Sequence, residues 1–564
     1  MKKRNKMVAC LLAATMIFSS FLTGCSANGG AGDTQKETSK ESAAGSESAA
    51  SDKKDTENGS ERTTNGSASD ASDAGWDTSK EDTITLAVIN NFYTAGEKKL
   101  AEEYMKLHPE TKVVVDVISD NDSYITKMMT AMSDDRENAP DIVHGNFLAA
   151  AVANNSADIA VDKGYLIDMT DMLDEVNPYN DGKKVREAFD EDDFLISINS
   201  SGGRHLTYLP FDKIGVAFYY NKTIFDKLGL SVPTSYENLI EICGKLKDAG
   251  YDVPITAGNE SGWLINSMAD SYYRTTENEF LVQPGDAIWD ENLMKANIDF
   301  KFDENNLDCD ANVVGSAERQ AKYATENGIN TEGNKKVWSE FQKLAQYFPT
   351  NWIAADGSQI ITDFESQVSP ILFNGSWNAG LILSDVNQLP EDMQFEWATF
   401  QLPSFEKAPE GFSQTIRGLY SLGNAISIVP NKDDDHMARV KDFYKFWYSP
   451  DQAKLCFEET LANGNYVQGP CVVKGVELSP ELTSKLEGFI ATGVSRGAQW
   501  VTGQDMVTQA DKPKYNDLIL QFSEGSLDVD SFLEQMDPIY RNYYKDVVDR
   551  AGYDLDPTTA DTAK

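Results

Sequence analysis

Apolar and polar positions alternate with a period of two through ITLAVIN from Ile84, the signature of a strand. The period lengthens to that of a helix over AGEKKLAEEYMKLHP and shortens again in VVVDVIS from Val113. Strand, helix and strand in that order predict a β-α-β opening. A further helix near residues 124–132, a strand at Pro140-Asp141-Ile142-Val143 and a small-residue run over 148–153 continue the pattern. It predicts parallel strands covered by helices.

The middle of the chain is organised around residues 209–258, LPFDKIGVAFYYNKTIFDKLGLSVPTSYENLIEICGKLKDAGYDVPITAG. These read as an alternating strand, an Asn-Lys turn, a short helix, a Pro-capped amphipathic helix and a buried strand. No acid, base or nucleophile stands out in them. The stretch therefore predicts a structural crossing between two lobes, with the strand at 216–220 as the crossing and part of a hinge. Just before it, residues 177–203 turn polar and Gly-rich and carry EDDFLISINSSGG, which fits an edge hairpin or a lid.

Downstream, a helix is predicted over residues 335–347 and a buried strand within ESQVSPILFNGSWNAG, ending on a Gly-flanked turn that carries Trp377. FEWATFQLPSF and residues 425–429 read as strands, residues 434–448 as a helix, and the tail beyond Asp451 as mostly helical. No unit of 20 to 50 residues recurs, which argues against a solenoid or propeller.

Composition sharpens this picture. A chain of 564 residues, 41% hydrophobic, builds a large core and predicts two to four domains. A formal net charge of -40 argues against nucleic acid and anionic membrane surfaces as direct ligands. At the N-terminus, Lys2, Lys3, Arg4 and Lys6 precede an apolar run over residues 7–22 that ends in Leu22-Thr23-Gly24-Cys25. The run is short for a spanning helix and reads as a signal peptide over residues 1–24. Leu-Thr-Gly-Cys resembles the bacterial lipobox, which implies that Cys25 carries a diacylglyceryl group and begins the mature chain. Two acyl chains suffice for stable anchoring. From there to about residue 80 the chain is Ser, Gly, Ala, Asp, Glu, Lys and Thr with hardly a large apolar side chain, so residues 25–80 read as a disordered tether.

Cys10 leaves with the signal peptide, leaving Cys243, Cys309, Cys456 and Cys471. They form no CxxC pair and no ligand-like cluster with histidine, so no metal site is predicted. A Cys456–Cys471 bridge and buried free thiols both remain open.

Loops at the carboxyl ends of parallel strands are where open α/β sheets bind ligands, which singles out Asn90-Asn91-Phe92-Tyr93 and His144-Gly145-Asn146-Phe147. Both mix amides with aromatics, and the same aromatics also fit a core. His108, His144, His205 and His436 are scattered without HExxH, and neither GxSxG nor a Walker pattern occurs. No cofactor and no catalytic residue is predicted. With 90 acidic residues, however, a glycosidase pair arises easily by chance, and that reading stays open. The run DENNLDCD from Asp303 lacks the glycine of an EF-hand loop and reads as a solvated face.

Several motifs in order resemble the family 1 extracellular solute-binding proteins of ABC importers. They are Phe218-Tyr219-Tyr220-Asn221-Lys222 with Phe225 and Gly229, then Pro233-Thr234-Ser235-Tyr236-Glu237-Asn238 opening a helix. Asn374-Gly375-Ser376-Trp377 is similar to that family's Gly-x-Trp turn and Leu402-Pro403 to its strand before the second crossing. Ser427 to Pro430 and Ser449-Pro450-Asp451-Gln452 look like its late recrossing. The sequence departs from the family where Ser366-Gln367 replace Gly-Lys, where Pro370 enters a strand and where Tyr236 stands for Trp.

The resemblance implies an α/β, two-lobed periplasmic-binding-protein-like fold of type II over residues 81–564, with discontinuous lobes joined by a hinge. One lobe would span about 81–217 and 404–449, the other about 218–403 and 450–564. It implies a monomeric binder rather than an enzyme, held on the outer face of the cytoplasmic membrane by its lipid and passing an oligosaccharide to the membrane subunits of an ABC permease. Trp263 and Trp377 would line the second lobe, with Phe92, Tyr93 and Phe147 facing them. Trp500 is a third indole candidate, while Trp289, Trp352 and Trp397 are expected in the core. Asn90, Asn146, Glu260 and Asp505 are the polar candidates. A surface glycosidase and a binder of a non-sugar solute, such as a polyamine or metal complex, are the alternatives.

Overall fold

The computed structural model describes residues 75–559 apart from residues 90–91, 134–135, 137, 154–155, 202–203, 356, 491 and 496. The signal peptide, Cys25, nearly all of the tether and Asn90 lie outside the described residues. Among the described residues there are ten strands. They are β1 (Asp82–Ile89), β2 (Thr111–Ile118), β3 (Ile142–His144), β4 (Asp212–Asn221), β5 (Ile255–Ala257), β6 (Ile371–Gly375), β7 (Trp397–Phe400), β8 (Gly418–Gly423), β9 (Ile426–Ile428) and β10 (Val494–Ser495).

The first lobe holds the sheet β2-β1-β3-β9. β1 runs parallel to β2 along its whole length and to β3 at Leu86↔Ile142, as the strand-helix-strand opening requires. Ile84, Leu86 and Val88 enter one core cluster while Ala87 and Ile89 enter another. Burial on both faces is why this strand becomes continuously apolar from Leu86 to Ile89.

The second lobe is built on β10-β8-β4-β6-β5, with β7 on the edge of β4. β4 is shared. Its start pairs with β8 from Asp212↔Gly423 to Gly215↔Tyr420, and its remainder pairs with β6 from Val216↔Gly375 to Tyr220↔Ile371. The passage between lobes therefore lies at Asp212–Gly215, four residues ahead of the expected 216–220. The physical reason is that Phe218 and Tyr220 alternate with Ala217 and Tyr219 to fill the two faces of a buried sheet. A crossing needs only backbone pairing and so leaves no such pattern.

Two further passages join the lobes. β8 runs directly into β9, so Phe405, Phe412 and Ile416 remain in the second-lobe core, beyond the expected limit at 404. Helix Pro450–Ala462 packs on helix Thr94–Leu107 of the first lobe, so closely that a Cβ on Gly96 would lie 2.2 Å from the Cys456 carbonyl oxygen. Residues 450–462 thus belong to the first lobe, and the third passage follows them. It bridges Phe92↔Tyr466 and Asp212↔Cys471, with Lys213 N donating to Pro470 O at 2.9 Å and Val472 N to Phe211 O at 3.0 Å.

Trp352 and Trp397 are buried in the core as expected, and Trp289 packs on a small cluster of Val282, Met294 and Val314. Residues 176–201 open on a short antiparallel pairing, Val176↔Lys184, with Asn177 N donating to Lys183 O at 2.8 Å and Val185 N to Glu175 O at 3.0 Å. They hold helix Glu191–Ser201, which buries Phe194 and Ile198 and pairs Asp193 with Lys213 Nζ at 3.1 Å. The acidic run is only partly a solvated face. Asp310 is buried and accepts from Arg417 Nη1 at 2.7 Å, while Glu304 accepts from Arg274 Nη2 at 2.8 Å. Arg417 also reaches Asp270 at 3.0 Å through Nε, tying the 270, 310 and 417 segments into one buried ion network. Cys243, Cys309, Cys456 and Cys471 are all free thiols. Among the described residues no helix is long and apolar enough to cross a membrane.

Candidate functional site

β5 and β6 are parallel neighbours, in register from Ile255↔Ile371 to Ala257↔Phe373. Two turns leave the sheet side by side at their carboxyl ends. One is Asn259–Ser261, leading into helix Gly262–Tyr273; the other is Ser376–Asn378, leading into helix Ala379–Gln388. In open α/β sheets this edge is where ligands bind. Trp263 lies in the first turn of helix Gly262–Tyr273 and Trp377 on the second of these turns, and both stay partly exposed.

The turn at Trp377 explains its own glycine. The indole folds back over Gly375, where a Cβ would lie 2.2 Å from Cη2 and 2.3 Å from Cζ2 and Cζ3. The backbone there is extended, at φ -83 and ψ 158, so close approach rather than conformation demands glycine. Buried Asn374 fastens the turn by accepting from Gly375 N at 2.6 Å and Asn378 Nδ2 at 2.9 Å.

A polar patch lies beside Trp263. The amide of buried Gln504 packs directly on Gly262, where a Cβ would meet Nε2 at 2.0 Å. Asn266 Nδ2 donates to Gln504 Oε1 at 3.0 Å, which orients the amide so that its Nε2 donates to Asp505. Asp505 itself sits at φ 57, with its N–H donating to Tyr515 Oη at 2.7 Å. Burial pushes its carboxyl up to about 6, against the opposing pull of Lys512 and the Gln504 bond. Burial also raises Glu260, and the Asp505 charge adds to it. Ser261 is fully buried and its Oγ has no hydrogen-bond partner among the described residues. Two indole faces around acceptors of this kind can stack on an apolar ring face and bond hydroxyls at its edge.

The first-lobe candidates are placed differently. Phe92 and Phe147 are buried in the core, Phe147 against Tyr124 with ring centroids 5.7 Å apart. Tyr93 is wholly enclosed; its hydroxyl donates to Asp212 and accepts from Gln468 N at 3.2 Å, so it turns to the hinge and offers a ligand no face. These aromatics serve packing because a side chain next to a strand end can point down into the lobe as easily as out of it. Asn146 keeps partial exposure, and burial holds neighbouring His144 neutral, down at about 4. Trp500 is engaged by Phe280 at 4.3 Å and Tyr323 at 5.5 Å between centroids, a packing role. The structure thus brings Glu260, Trp263 and Asp505 together, sets Trp377 on the neighbouring turn and packs Trp500 against Phe280 and Tyr323.

Gln504, Ser261 and Tyr466 were not anticipated. Tyr466 is partly exposed on the third passage, bridged to Phe92 on one side and lying 3.4 Å from where a Cβ on Gly380 would be on the other. Only the return of that passage to the strand ends reveals it, and no local motif marks it. Among the described residues no group of three or more His, Cys, Asp or Glu is arranged to hold a metal ion.

A family model described as bacterial extracellular solute-binding protein matches residues 93–454. No curated protein matches the chain. Among solved structures, apo RafE from Streptococcus pneumoniae is similar, at 16% identity over 82% of this chain and 98% of that one, with a TM-score of 0.53. A family 1 extracellular solute-binding protein from Bifidobacterium longum subsp. infantis is 13% identical over 82% and 100%, with a TM-score of 0.52. A chitin oligosaccharide binding protein is 18% identical over 82% and 99%, with a TM-score of 0.51. At these identities the likeness is one of fold, the two-lobed α/β arrangement described above.

Proposed function

Because the chain belongs to the bacterial extracellular solute-binding proteins, we propose that it captures an oligosaccharide between its two lobes and delivers it to an ABC permease. The observation that carries this reading is the pair of partly exposed indoles, Trp263 and Trp377, at the ends of adjacent parallel strands with Glu260 and Asp505 beside them. Flat aromatics match the apolar faces of pyranose rings, and the carboxyls and Asn146 match their hydroxyl edges. An unmatched buried hydroxyl costs about 1–3 kcal/mol, so each edge contributes selectivity. Micromolar binding requires only about -8 kcal/mol, within reach of two stacked rings and several hydrogen bonds. Ligand touching both lobes would shift the hinge equilibrium toward the closed form. Similarity of fold to a chitin oligosaccharide binding protein supports a glycan ligand.

The lipobox and tether place the protein, in this proposal, on the outer face of the cytoplasmic membrane as a lipid-anchored monomer with Cys25 acylated. The test is a titration of the full chain with a panel of neutral oligosaccharides, read by tryptophan emission and thermal midpoint. A sugar that raises the midpoint and whose affinity drops in Trp377→Ala supports the proposal; a panel without any response sinks it.

A further inference from the structure

The two walls of the cleft meet at one residue of the third passage. Gln468, nearly buried, uses three of its polar groups on three different segments. Its N–H donates to Tyr93 Oη at 3.2 Å, on the residue that opens helix Thr94–Leu107. Its carbonyl accepts from Ser376 Oγ at 2.7 Å, one residue before Trp377 at the end of β6. Its side-chain Oε1 accepts from Asn424 N at 3.2 Å, between β8 and β9. Ser376 Oγ in turn accepts from Gly215 N of β4 at 3.2 Å, and Tyr93 Oη donates to Asp212 at the start of that strand.

We propose that Gln468 is a positioning residue that ties the Trp377 turn of the second lobe and, through Tyr93, the start of helix Thr94–Leu107 in the first lobe to the three interlobe passages, so that displacement of that turn and rotation of the hinge are one event. The relay runs Tyr93, Gln468, Ser376, and every link is a buried hydrogen bond. Its surroundings leave little slack. A Cβ on Gly423 would lie 2.2 Å from Asp212 Oδ1 and 2.6 Å from Gln468 Oε1, and one on Gly469 would lie 1.8 Å from the Lys213 carbonyl. Interfaces packed this closely have discrete arrangements rather than a continuum, which is what a coupled hinge requires. Asp212 has no exposure, and burial pushes its carboxyl up to about 7 against the opposing pull of the Tyr93 hydroxyl bond. Tyr93 is also backbone-constrained, at φ 45, where it opens helix Thr94–Leu107. A shift of this helix start is passed to Asp212 and Gln468 rather than absorbed locally.

The proposal goes beyond the glycan reading and is tested without ligand, so a failed sugar panel leaves it standing. Spin labels are placed by cysteine-independent chemistry at Leu107 and Val232, 54% and 40% exposed on the first and second lobe, in the full chain. Interlobe distances are then read by double electron–electron resonance. Tyr93→Phe and Ser376→Ala should each broaden the distribution, raising the population outside the wild-type distance range about tenfold, a factor worth about 1.4 kcal/mol. In the double variant the effect should match the larger single one, because both cut the same relay. Unchanged distributions with a lowered thermal midpoint would assign these bonds to stability alone and overturn the proposal, as would effects that multiply in the double variant. Should Tyr93→Phe not fold, Ser376→Ala decides by the same readout.

Discussion

Gly375→Ala isolates the indole of Trp377 without deleting it. The backbone at φ -83 and ψ 158 accepts alanine, so the only conflict is the new methyl at 2.2–2.3 Å from three ring carbons. Carbon atoms rest about 3.5–4.0 Å apart, so the ring must retreat by more than about 1 Å. Inside a closed core such overpacking costs about 1–3 kcal/mol, but Trp377 is partly exposed and can swing outward, placing the stability cost at the low end. The swing removes the ring from the position in which it would stack on a sugar. An aromatic contact is worth about 0.5–1.5 kcal/mol beyond its area, so affinity should drop roughly two- to tenfold. Calorimetric titration with a sugar that the wild type binds, alongside tryptophan emission, makes the comparison. A changed emission with wild-type affinity would show that the indole moved and that no ligand rests on it, refuting the assignment of Trp377 to the site.

Two further predictions concern the frame. Arg417→Met removes the guanidinium that pairs with buried Asp270 and Asp310, while Asp270 keeps Arg274 Nη1 at 3.4 Å, and should lower unfolding free energy by about 3–5 kcal/mol in urea; a loss below about 1 kcal/mol would show that the network is dispensable. His436 bridges Asp82 at 2.7 Å and Asp141 at 2.8 Å, with Arg439 also near Asp82, and the Asp141 bond is the largest cause raising it to about 9. A raised histidine stabilises fully below its unfolded value near 6.5 and loses that contribution as pH climbs through about 9. The gap in thermal midpoint between wild type and His436→Asn should therefore be widest at pH 6 and close by pH 10, and a gap constant with pH contradicts the mechanism.

Parts of this protein are local, and those parts were readable. The β1 strand announced itself because both of its faces are buried. Helix Tyr236–Asp248 announced itself through its apolar stripe, although its cap is Ser235, whose side chain accepts from Asn238 N, rather than the expected proline. The Gly375-Ser376-Trp377 turn was equally legible, because the glycine and the indole that excludes a Cβ are two residues apart. Glu260 and Trp263 were named from the family resemblance, and the structure sets both just beyond the end of β5. Asp505 also reached the patch, although only Gln504, bonded to Asn266 from 238 residues away, explains why it sits there.

What periodicity could not decide was direction and partner. The sequence pattern placed Phe92, Tyr93 and Phe147 at strand ends, but whether an aromatic there turns to the cleft, the core or the hinge depends on neighbours that arrive much later in the chain. Tyr93 meets Gln468 across 375 residues, and that contact assigns it to the hinge. The lobe limits moved for the same reason: helix Pro450–Ala462 carries no mark of the lobe it joins, and only its packing on Gly96 settles the matter. Sequence by itself determined the elements and the turns, because their hydrogen bonds close within a few residues. Tertiary structure alone decided where along β4 the chain crosses and which way the aromatics at the strand ends turn, because those bonds join segments whose spacing along the chain carries no signal.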